Sequence, residues 1–151
     1  MIVVRNNIIC FDNRQMENPL NDLPGYALRR AAVSMMADLN ARLELTGIRY
    51  SEVAVVLLIG ANPGIAASVV GRELDIQRAN LTRLLGRLEE EGLLSRELLD
   101  GKSHAVALTP AGQKLHERIV AVVDEFERAM IERVPPEHRE HLLPALQSLW
   151  R

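Results

Sequence analysis

Residues 65–112 contain the arrangement that most restricts what this chain can fold into. Four short predicted elements follow one another there, two helices and then two strands: 65–74, 78–91, 93–99 and 104–108. Three residues separate the helices, Gly92 ends the second one, and Asp100-Gly101 joins the strands as in a β-hairpin. Thr109-Pro110 supplies an N-cap and a first-turn proline for the next helix. This order predicts a winged helix-turn-helix, and therefore a mostly α fold with a small β-hairpin wing.

Longer helices are predicted on either side of this segment. Residues 23–45 carry apolar side chains at spacings of three and four, with Asp22 as the expected N-cap. Ser51 is the expected cap of a short helix, 52–59, which is apolar on nearly every side and therefore predicted to be buried. The helix that starts at Thr109-Pro110 keeps one apolar stripe for about 25 residues, or ~37 Å. Because a stripe of that length exceeds the core of a small domain, it predicts a partner chain.

The expected organisation has three parts. Residues 1–21 form an N-terminal arm whose structure no clear pattern predicts. Residues 47–109 form the winged helix-turn-helix lobe, the part predicted to bind DNA. Residues 22–46 and 110–151 form a helical region, expected to mediate dimerisation on the resemblance described below, and Pro144 is expected to kink or divide its last segment.

Composition places the chain among ordinary globular proteins. Hydrophobic residues make up 48% of the 151 residues and aromatic ones only 3%, so aliphatic side chains must build the core. The formal net charge of −2 does not exclude a nucleic-acid partner, because a phosphate responds to charge within a Debye length of ~8–10 Å. No apolar run reaches the ~18–20 residues that span a bilayer, and the start of the chain does not resemble a signal peptide. With Cys10 as the single cysteine, a cytoplasmic protein is expected.

The second helix of the predicted helix-turn-helix has one apolar face and one polar face. Leu81, Leu84, Leu85 and Leu88 share the apolar face and are expected to pack inward. The other positions carry side chains suited to a DNA groove: Arg78, Asn80, Thr82, Arg83 and Arg87. Arginine binds guanine O6 and N7, asparagine binds adenine N6 and N7, and threonine meets a phosphate or a thymine methyl. A merely solvated face is the ordinary alternative, but the order of the surrounding elements favours a recognition helix.

The tip of the predicted wing carries Lys102. A cation at this position can reach the minor groove or its phosphates, and a solvated lysine without a partner is the equally weighted alternative. His104 is expected at a strand end rather than in a DNA contact. The acidic residues 89–91 lie at the far end of the recognition helix, where they would stay away from DNA.

From about Leu23 to the C-terminus, the chain resembles the multiple antibiotic resistance regulator (MarR) family. The segments that carry the resemblance are Leu74-Asp75-Ile76-Gln77-Arg78, Leu81-Thr82-Arg83-Leu84, Arg87-Leu88-Glu89, Glu91-Gly92-Leu93, Asp100-Gly101-Lys102 and Leu108-Thr109-Pro110-Ala111-Gly112. Gln77 stands where the family usually has a capping Asp, and Lys102 stands where it usually has Arg. The resemblance implies DNA contacts at the matching helix and wing positions: Arg78, Asn80, Thr82, Arg83 and Lys102.

The resemblance also implies a mode of action. Members of the family are homodimers that bind a pseudopalindromic operator in double-stranded DNA, and they usually repress transcription. Many release DNA when a small aromatic, often phenolic, effector binds between the dimer helices and the lobe. The residues expected to border such a pocket here are Met35, Leu39, Arg42, Tyr50 and Leu58, with ordinary core or interface packing as the alternative for the methionine.

Other classes of protein have weaker support in the sequence. No nucleophile motif, glycine-rich phosphate loop or close carboxylate pair indicates an enzyme, and no cofactor is expected. His138 and His141 lie one helical turn apart, but no third metal ligand accompanies them. Cys10 is more often an inert small hydrophobe than an oxidant sensor. The alternatives to a DNA-binding regulator are a winged-helix protein-interaction module and a dimer that only binds a ligand.

Overall fold

Helices alternate with short strands along the chain in the computed structural model, which describes residues 4–5, 8–9, 18–100 and 103–149. The elements, in chain order, are β1 Val4–Arg5, β2 Ile8–Ile9, α1 Pro24–Leu43, α2 Tyr50–Ala61, β3 Ile65–Ala66, α3 Ala67–Glu73, α4 Arg78–Glu90, β4 Leu94–Asp100, β5 Ser103–Leu108, α5 Pro110–Glu132 and α6 Arg139–Gln147. Three short segments are 3-10 helices: Pro19–Asp22, Glu44–Thr46 and Pro136–His138. The chain divides into two compact units, Met1–Ser34 and Met35–Arg151.

The first unit contains an antiparallel strand pair, β1 and β2, and the beginning of α1. Asn18 caps the 3-10 helix before α1, since its side chain accepts a hydrogen bond from the Leu20 N–H at 3.1 Å. The prediction that Asp22 caps α1 is wrong. Asp22 is the last residue of the 3-10 helix, and Leu23 donates its N–H to the Leu20 carbonyl at 3.1 Å before α1 begins at Pro24. The chain therefore enters α1 directly from a tight turn.

The core of the second unit lies between α2, α5 and a three-stranded sheet. Nine apolar side chains in it are almost completely buried: Leu43, Val55, Val56, Ile59, Val70, Leu85, Leu88, Val106 and Ile119. Three of these belong to α2, which confirms the prediction that this nearly all-apolar helix is buried. Of the twenty residues of α1, by contrast, only Leu43 is buried. The central helix of the unit is therefore α2.

The beginning of α2 differs from the prediction. Ser51 lies in the first turn of the helix, and Arg49 occupies the N-cap position that Ser51 was expected to fill. Glu52 Oε2 accepts a hydrogen bond from the Arg49 N–H at 3.1 Å. A carboxylate three residues after the cap thus satisfies the cap N–H, as the acidic member of a capping box does.

The sheet has the strand order β3-β5-β4, and both pairs of neighbouring strands are antiparallel. Ile65 and Ala66, which were predicted to start a helix, form β3 and pair with Val106 and Ala105 of β5. Gly64 precedes them with φ of +82° and donates its N–H to the Val106 carbonyl at 3.1 Å. A strand of two residues is too short to show an alternating pattern, so hydrophobic periodicity could not predict β3.

The predicted hairpin is present in β4 and β5. It extends from Leu94 opposite Leu108 to Asp100 opposite Ser103, with an irregular register between Leu98 and Asp100. Both strands differ from their predicted bounds by one residue at one or both ends. The residues that connect them, 101–102, fall outside the described residues.

The long helix after the hairpin begins as predicted. Thr109 Oγ1 accepts a hydrogen bond from the Gly112 N–H at 3.1 Å and donates one to the Gly92 carbonyl at 2.6 Å, so the cap also holds the end of α4. α5 then continues for 23 residues. α6 includes Pro144 within the helix, so the proline does not divide the last segment. Within the described residues, every helix is too short or too polar to cross a membrane.

Candidate nucleic-acid interface

The apolar and polar side chains of α4 lie on opposite faces, as predicted. Leu81, Leu85 and Leu88 are buried in the core of the second unit. Four of the residues expected to contact DNA are exposed: Arg78, Asn80, Thr82 and Arg83. The core therefore holds α4 by its leucines and leaves the four predicted contact residues exposed to solvent.

The N-terminus of α4 combines partial and full positive charge. Gln77 occupies the N-cap position and makes no side-chain hydrogen bond to the first turn. The first-turn N–H groups are thus left for water or an anion, and the helix dipole adds partial positive charge there. Arg78 is the first residue of the helix, and it has no carboxylate within ion-pair distance among the residues described. This end of α4 is suited to a phosphate group.

The turn between α3 and α4 brings the two helices close together. The Ile76 N–H donates to the Gly71 carbonyl at 2.9 Å, and Asp75 takes a left-handed conformation with φ of +50°. A Cβ atom on Gly71 would lie 3.1 Å from Leu81 Cδ2, so this position requires a very small residue. Ile76 packs on the core that contains Leu81, as expected for a hydrophobic staple across the N-cap.

Two hydrogen bonds orient the exposed side chains of α4. Arg83 Nη2 donates to Asn80 Oδ1 at 3.3 Å, so these two side chains lie side by side. Thr82 Oγ1 donates to the Arg78 carbonyl at 2.9 Å, one turn earlier in the same helix. Because the Thr82 hydroxyl is bonded to its own helix, the methyl group is the part of the side chain left to meet a ligand.

Arg87 does not lie with these exposed residues. Its Nη1 is 2.6 Å from Glu52 Oε1, and its Nε is 2.8 Å from Glu91 Oε1. The Arg87 side chain is 23% exposed and that of Glu52 only 1%. The ion pair joins α4 to the first turn of α2, so this geometry favours a structural role for Arg87 over the predicted DNA contact. Periodicity could not reveal a partner that lies 35 positions away in the chain.

Further polar residues lie beside α4 that the sequence patterns did not indicate as DNA contacts: Ser68, Arg72, Arg96 and His104. They line one cavity together with Arg78 and Thr82. These residues come from α3, β4 and β5, which converge only in the tertiary structure. The one sequence signal was the helix-turn-helix itself, which places Arg72 and Arg78 on either side of its turn. Lys102 and Cys10 lie outside the described residues.

The residues predicted to border an effector pocket lie on α1 and α2: Met35, Leu39, Arg42, Tyr50 and Leu58. Tyr50 is exposed, and the other four are half-buried. None of the five lines the cavity beside α4. Their expected role in effector binding stays a prediction.

Arg42 belongs to an ion-pair network between α1 and α5. Its Nε lies 3.0 Å from Asp38 Oδ1 and its Nη1 3.4 Å from Glu125 Oε1. Arg133 Nη2 lies 2.9 Å from the second carboxylate oxygen of Asp38. The hydrogen bond from Arg42, with the charges of both arginines and the hydrogen bond from Arg133, lowers the pKa of the Asp38 carboxyl below its ordinary value of 3.8. An anionic ligand of Arg42 would therefore compete with two carboxylates.

Comparison with known proteins agrees with this geometry. The MarR family model matches residues 36–102 of the chain. The transcriptional repressor CouR, in its structure bound to a 23-mer DNA duplex, is 30% identical and superposes with a TM-score of 0.81 over 87% of this chain and 95% of that one. This chain belongs to the MarR family. CouR from Rhodococcus jostii RHA1, in its structure bound to p-coumaroyl-CoA, gives a TM-score of 0.76 at 25% identity, over 88% of this MarR protein and 95% of that chain.

A curated relative supports the same conclusion. The organic hydroperoxide resistance transcriptional regulator of Bacillus subtilis (strain 168) is 29% identical over 114 residues, which are 74% of this chain and 75% of that protein. Membership of the MarR family confirms the predicted winged helix-turn-helix, with α3 and α4 as its two helices and β4–β5 as its wing. This MarR protein is a transcriptional regulator that binds DNA, and its relatives are regulators rather than enzymes.

Proposed function

We propose that this MarR protein is a sequence-specific repressor that places α4 in the major groove of its operator. The observation that carries the proposal is the division of α4 into two faces. Leu81, Leu85 and Leu88 are buried, while the opposite face exposes the four predicted contact residues: Arg78, Asn80, Thr82 and Arg83. These side chains, next to a helix N-terminus that no side chain caps, match what a recognition helix requires.

The contacts of the four side chains suggest a role for each. Arg83 Nη2 lies 3.3 Å from Asn80 Oδ1, so the two side chains would read adjacent bases. The Asn80 amide would bind adenine, and the Arg83 guanidinium would bind guanine. Thr82 would present its methyl group to a thymine methyl, because its hydroxyl bonds to the helix. Arg78 would bind a phosphate at the N-terminus of the helix. Arg87 would position α4 through Glu52 without touching DNA.

The wing would make the second contact with the duplex. Lys102 is the cation that the sequence places at its tip, and we propose that it reaches the minor groove or the phosphates beside it. A lysine keeps the positive charge of the arginine that is usual in the family, but it cannot bind two acceptors in a fixed plane. This contact would therefore contribute affinity more than base discrimination.

We propose that the protein acts as a homodimer. In this proposal, residues 1–21 are an N-terminal arm and residues 47–109 are the DNA-binding lobe. The dimerisation region consists of two segments, 22–46 and 110–151. Leu143 in α6 is 60% exposed and Leu149, just after it, 66% exposed. In α1, Leu28 and Val33 are also exposed. Large apolar side chains left in solvent are expected where a second copy packs, and two lobes would then meet a pseudopalindromic operator.

We also propose that a small aromatic effector releases the repressor from DNA. The transcriptional repressor CouR, with one structure bound to DNA and another bound to p-coumaroyl-CoA, supports this class of ligand. The residues proposed to border the pocket remain Met35, Leu39, Arg42, Tyr50 and Leu58. The protein would act in the cytoplasm by binding alone, without catalysis.

The experiment is a gel shift of full-length protein on duplexes from its own promoter region, at low salt and then over a salt titration. Retention that weakens steeply with salt supports the proposal, because each phosphate contact releases counterions. Absence of retention at low salt would favour the winged-helix protein-interaction module instead. Added p-coumaroyl-CoA or phenolic acids should then release the retained duplex, whereas a band unchanged by all of them would contradict the aromatic effector.

A further inference from the structure

We propose that one strand of the DNA backbone lies in the cavity between α3, α4 and the hairpin, where Arg72 and Arg96 bind its phosphates. This inference rests on the proposed function, because it assigns a further set of contacts to the same DNA-binding lobe. It adds two arginines that neither the helix periodicity nor the resemblance to the MarR family indicated. It also gives the cavity a ligand of defined chemistry, a phosphodiester.

The shape of the cavity suits a backbone strand. Its volume is about 570 Å³, and six polar side chains line it: Ser68, Arg72, Arg78, Thr82, Arg96 and His104. Ile76, Leu81 and Leu85 contribute apolar surface, which comes from the packing of α3 on α4. Polar groups from four elements, α3, α4, β4 and β5, therefore surround one site whose base is apolar core.

The charge of the lining favours an anion. Three arginines line the cavity, and none of the lining residues is acidic. The carboxylates that pair with two of these arginines come from residues outside the lining: Glu73 Oε1 lies 3.1 Å from Arg72 Nη2, and Glu89 Oε2 lies 2.9 Å from Arg96 Nε. The pair with Glu73 is well exposed, and exposed pairs of this kind hold their partners weakly. A phosphate could therefore replace the Glu73 carboxylate as the ion-pair partner of the Arg72 guanidinium.

Arg96 provides an independent observation. Its Nε atom is buried and lacks a partner with hydrogen-bond geometry among the described residues, although the Glu89 carboxylate lies close by. Glu89 thus holds Arg96 Nε at ion-pair distance, but not in a well-directed hydrogen bond. A phosphate in the cavity could offer the guanidinium better-directed acceptors.

The position of the cavity distinguishes the DNA backbone from the bases. When a recognition helix occupies the major groove and a wing approaches the neighbouring minor groove, the phosphates that separate the two grooves pass between these elements. The cavity lies between α4 and the strands of the wing, which is that place. Guanidinium groups bind phosphate oxygens through two parallel hydrogen bonds, and the Ser68 hydroxyl can donate a further one. These contacts would raise affinity without a preference for base sequence.

The first test compares salt dependence between two matched variants. Arg72→Ala removes a charge from the cavity, and Arg128→Ala removes the same charge from an exposed position on α5. The probe is a promoter duplex that the wild-type protein retains. Arg72→Ala should lower the slope of log K against log[salt] by about 0.9 for each phosphate that it no longer neutralises, with the preference for the retained duplex over a base-substituted one unchanged. Arg128→Ala should keep the wild-type slope.

Arg96 needs a milder change because part of it is buried. Arg96→Lys keeps the charge but loses the planar pair of donors, and it should weaken the affinity of the retained duplex and of a base-substituted duplex by the same factor. Thermal unfolding of the variant, followed by circular dichroism, shows whether the fold is kept. Ser68→Ala removes an exposed hydroxyl on α3 and so tests the same cavity without removing a charge. It should also lower the affinity for the retained duplex and for the base-substituted duplex by the same factor.

The second test locates the phosphates. Single methylphosphonate groups, which are uncharged, replace the phosphates of the retained duplex one at a time. The wild-type protein should bind more weakly when the uncharged group lies between the two grooves, and the Arg72→Ala variant should lose less affinity at these positions than the wild type, because Arg96 and Ser68 still contact them. If Arg72→Ala keeps the wild-type slope, or loses as much affinity as the wild type at every methylphosphonate, the proposal is overturned. If the wild-type protein retains no duplex at low salt, both the proposed function and this inference are contradicted. If it retains a duplex but Arg72→Ala behaves like the wild type, only the phosphate site in the cavity is contradicted.

Discussion

Arg87 Nη1 lies 2.6 Å from Glu52 Oε1, and this ion pair joins the recognition helix α4 to the first turn of α2. Glu52 is only 1% exposed, so loss of the arginine would leave a buried carboxylate without its charged partner. Its second oxygen accepts the Arg49 N–H at 3.1 Å. One buried carboxylate thus caps α2 and also holds α4, the helix that we propose enters the major groove.

Replacing Arg87 with alanine should lower the free energy of unfolding by about 3 kcal/mol, because the change leaves a buried carboxylate without its partner. Denaturant unfolding followed by circular dichroism measures the effect. Arg83→Ala is the matched control, since Arg83 is an exposed arginine on the same helix and its removal should cost less than about 0.5 kcal/mol. Equal destabilisation of the two variants would contradict the structural role of Arg87.

The Arg83→Ala variant should have its effect on DNA instead. If Arg83 reads a base, specific binding should weaken by about 1–3 kcal/mol, and the preference for the operator over a duplex substituted at that base pair should shrink. Fluorescence titrations of both duplexes measure this, with Arg128→Ala on α5 as the control for removal of a charge. A uniform loss of affinity on both duplexes, with a shallower salt dependence, would instead assign Arg83 to a phosphate.

Gly112 should not tolerate even alanine. A Cβ atom at this position would collide with the backbone carbonyl oxygen of Leu93, which cannot move away as a flexible side chain could. Gly112→Ala should therefore destabilise the fold by about 1–3 kcal/mol or more, as measured by thermal or denaturant unfolding. Gly25→Ala is the control, because nothing lies within 4 Å of a Cβ there and an alanine favours the helix. A Gly112→Ala variant as stable as Gly25→Ala would refute the close contact.

Asp38 should make stability depend on acid pH. Arg42, and then Arg133, lower the pKa of its carboxyl below 3.8 in the folded protein, so the unfolded chain binds this proton more readily. The stabilising contribution is therefore complete above the unfolded pKa and is lost as the pH falls through the folded pKa. Asp38→Asn should be less stable than wild type near pH 7, and the difference should shrink toward about pH 3. Urea midpoints across this range measure it, with the exposed Asp124→Asn as control; a difference that stays constant would contradict the ion pairs.

The winged helix-turn-helix could be predicted because each of its signals is local. Thr109 and Pro110 mark the start of a helix whatever surrounds them, and Asp100-Gly101 marks a hairpin in the same way. The leucines of α4 show which face is buried, so the exposure of Arg78 and Arg83 followed from their spacing. These features require no knowledge of residues distant in the chain.

The remaining features depend on contacts between distant segments. The spacing of Arg87 along α4 does not distinguish it from its exposed neighbours, because its partner Glu52 lies in α2. The same carboxylate accepts the Arg49 N–H at the start of α2, where Ser51 was the predicted cap. Ile65 and Ala66 are a strand only because β5 lies beside them. Arg72 and Arg96 share a cavity because α3 and β4 converge there, which no periodicity in either element could indicate.

The pairing of β3 with β5 has a consequence for the kind of duplex that fits. Ile65 and Ala66 bond to the wing and lead without a break into α3, which in turn packs against α4 through Gly71. The spacing between the wing and the recognition helix thus depends on the β3–β5 hydrogen bonds and on the packing of α3 against α4. Because these contacts fix the distance between the wing and α4, the protein should bind best to duplexes whose major and minor grooves have the matching spacing. A site with the right bases but a different backbone shape should bind more weakly.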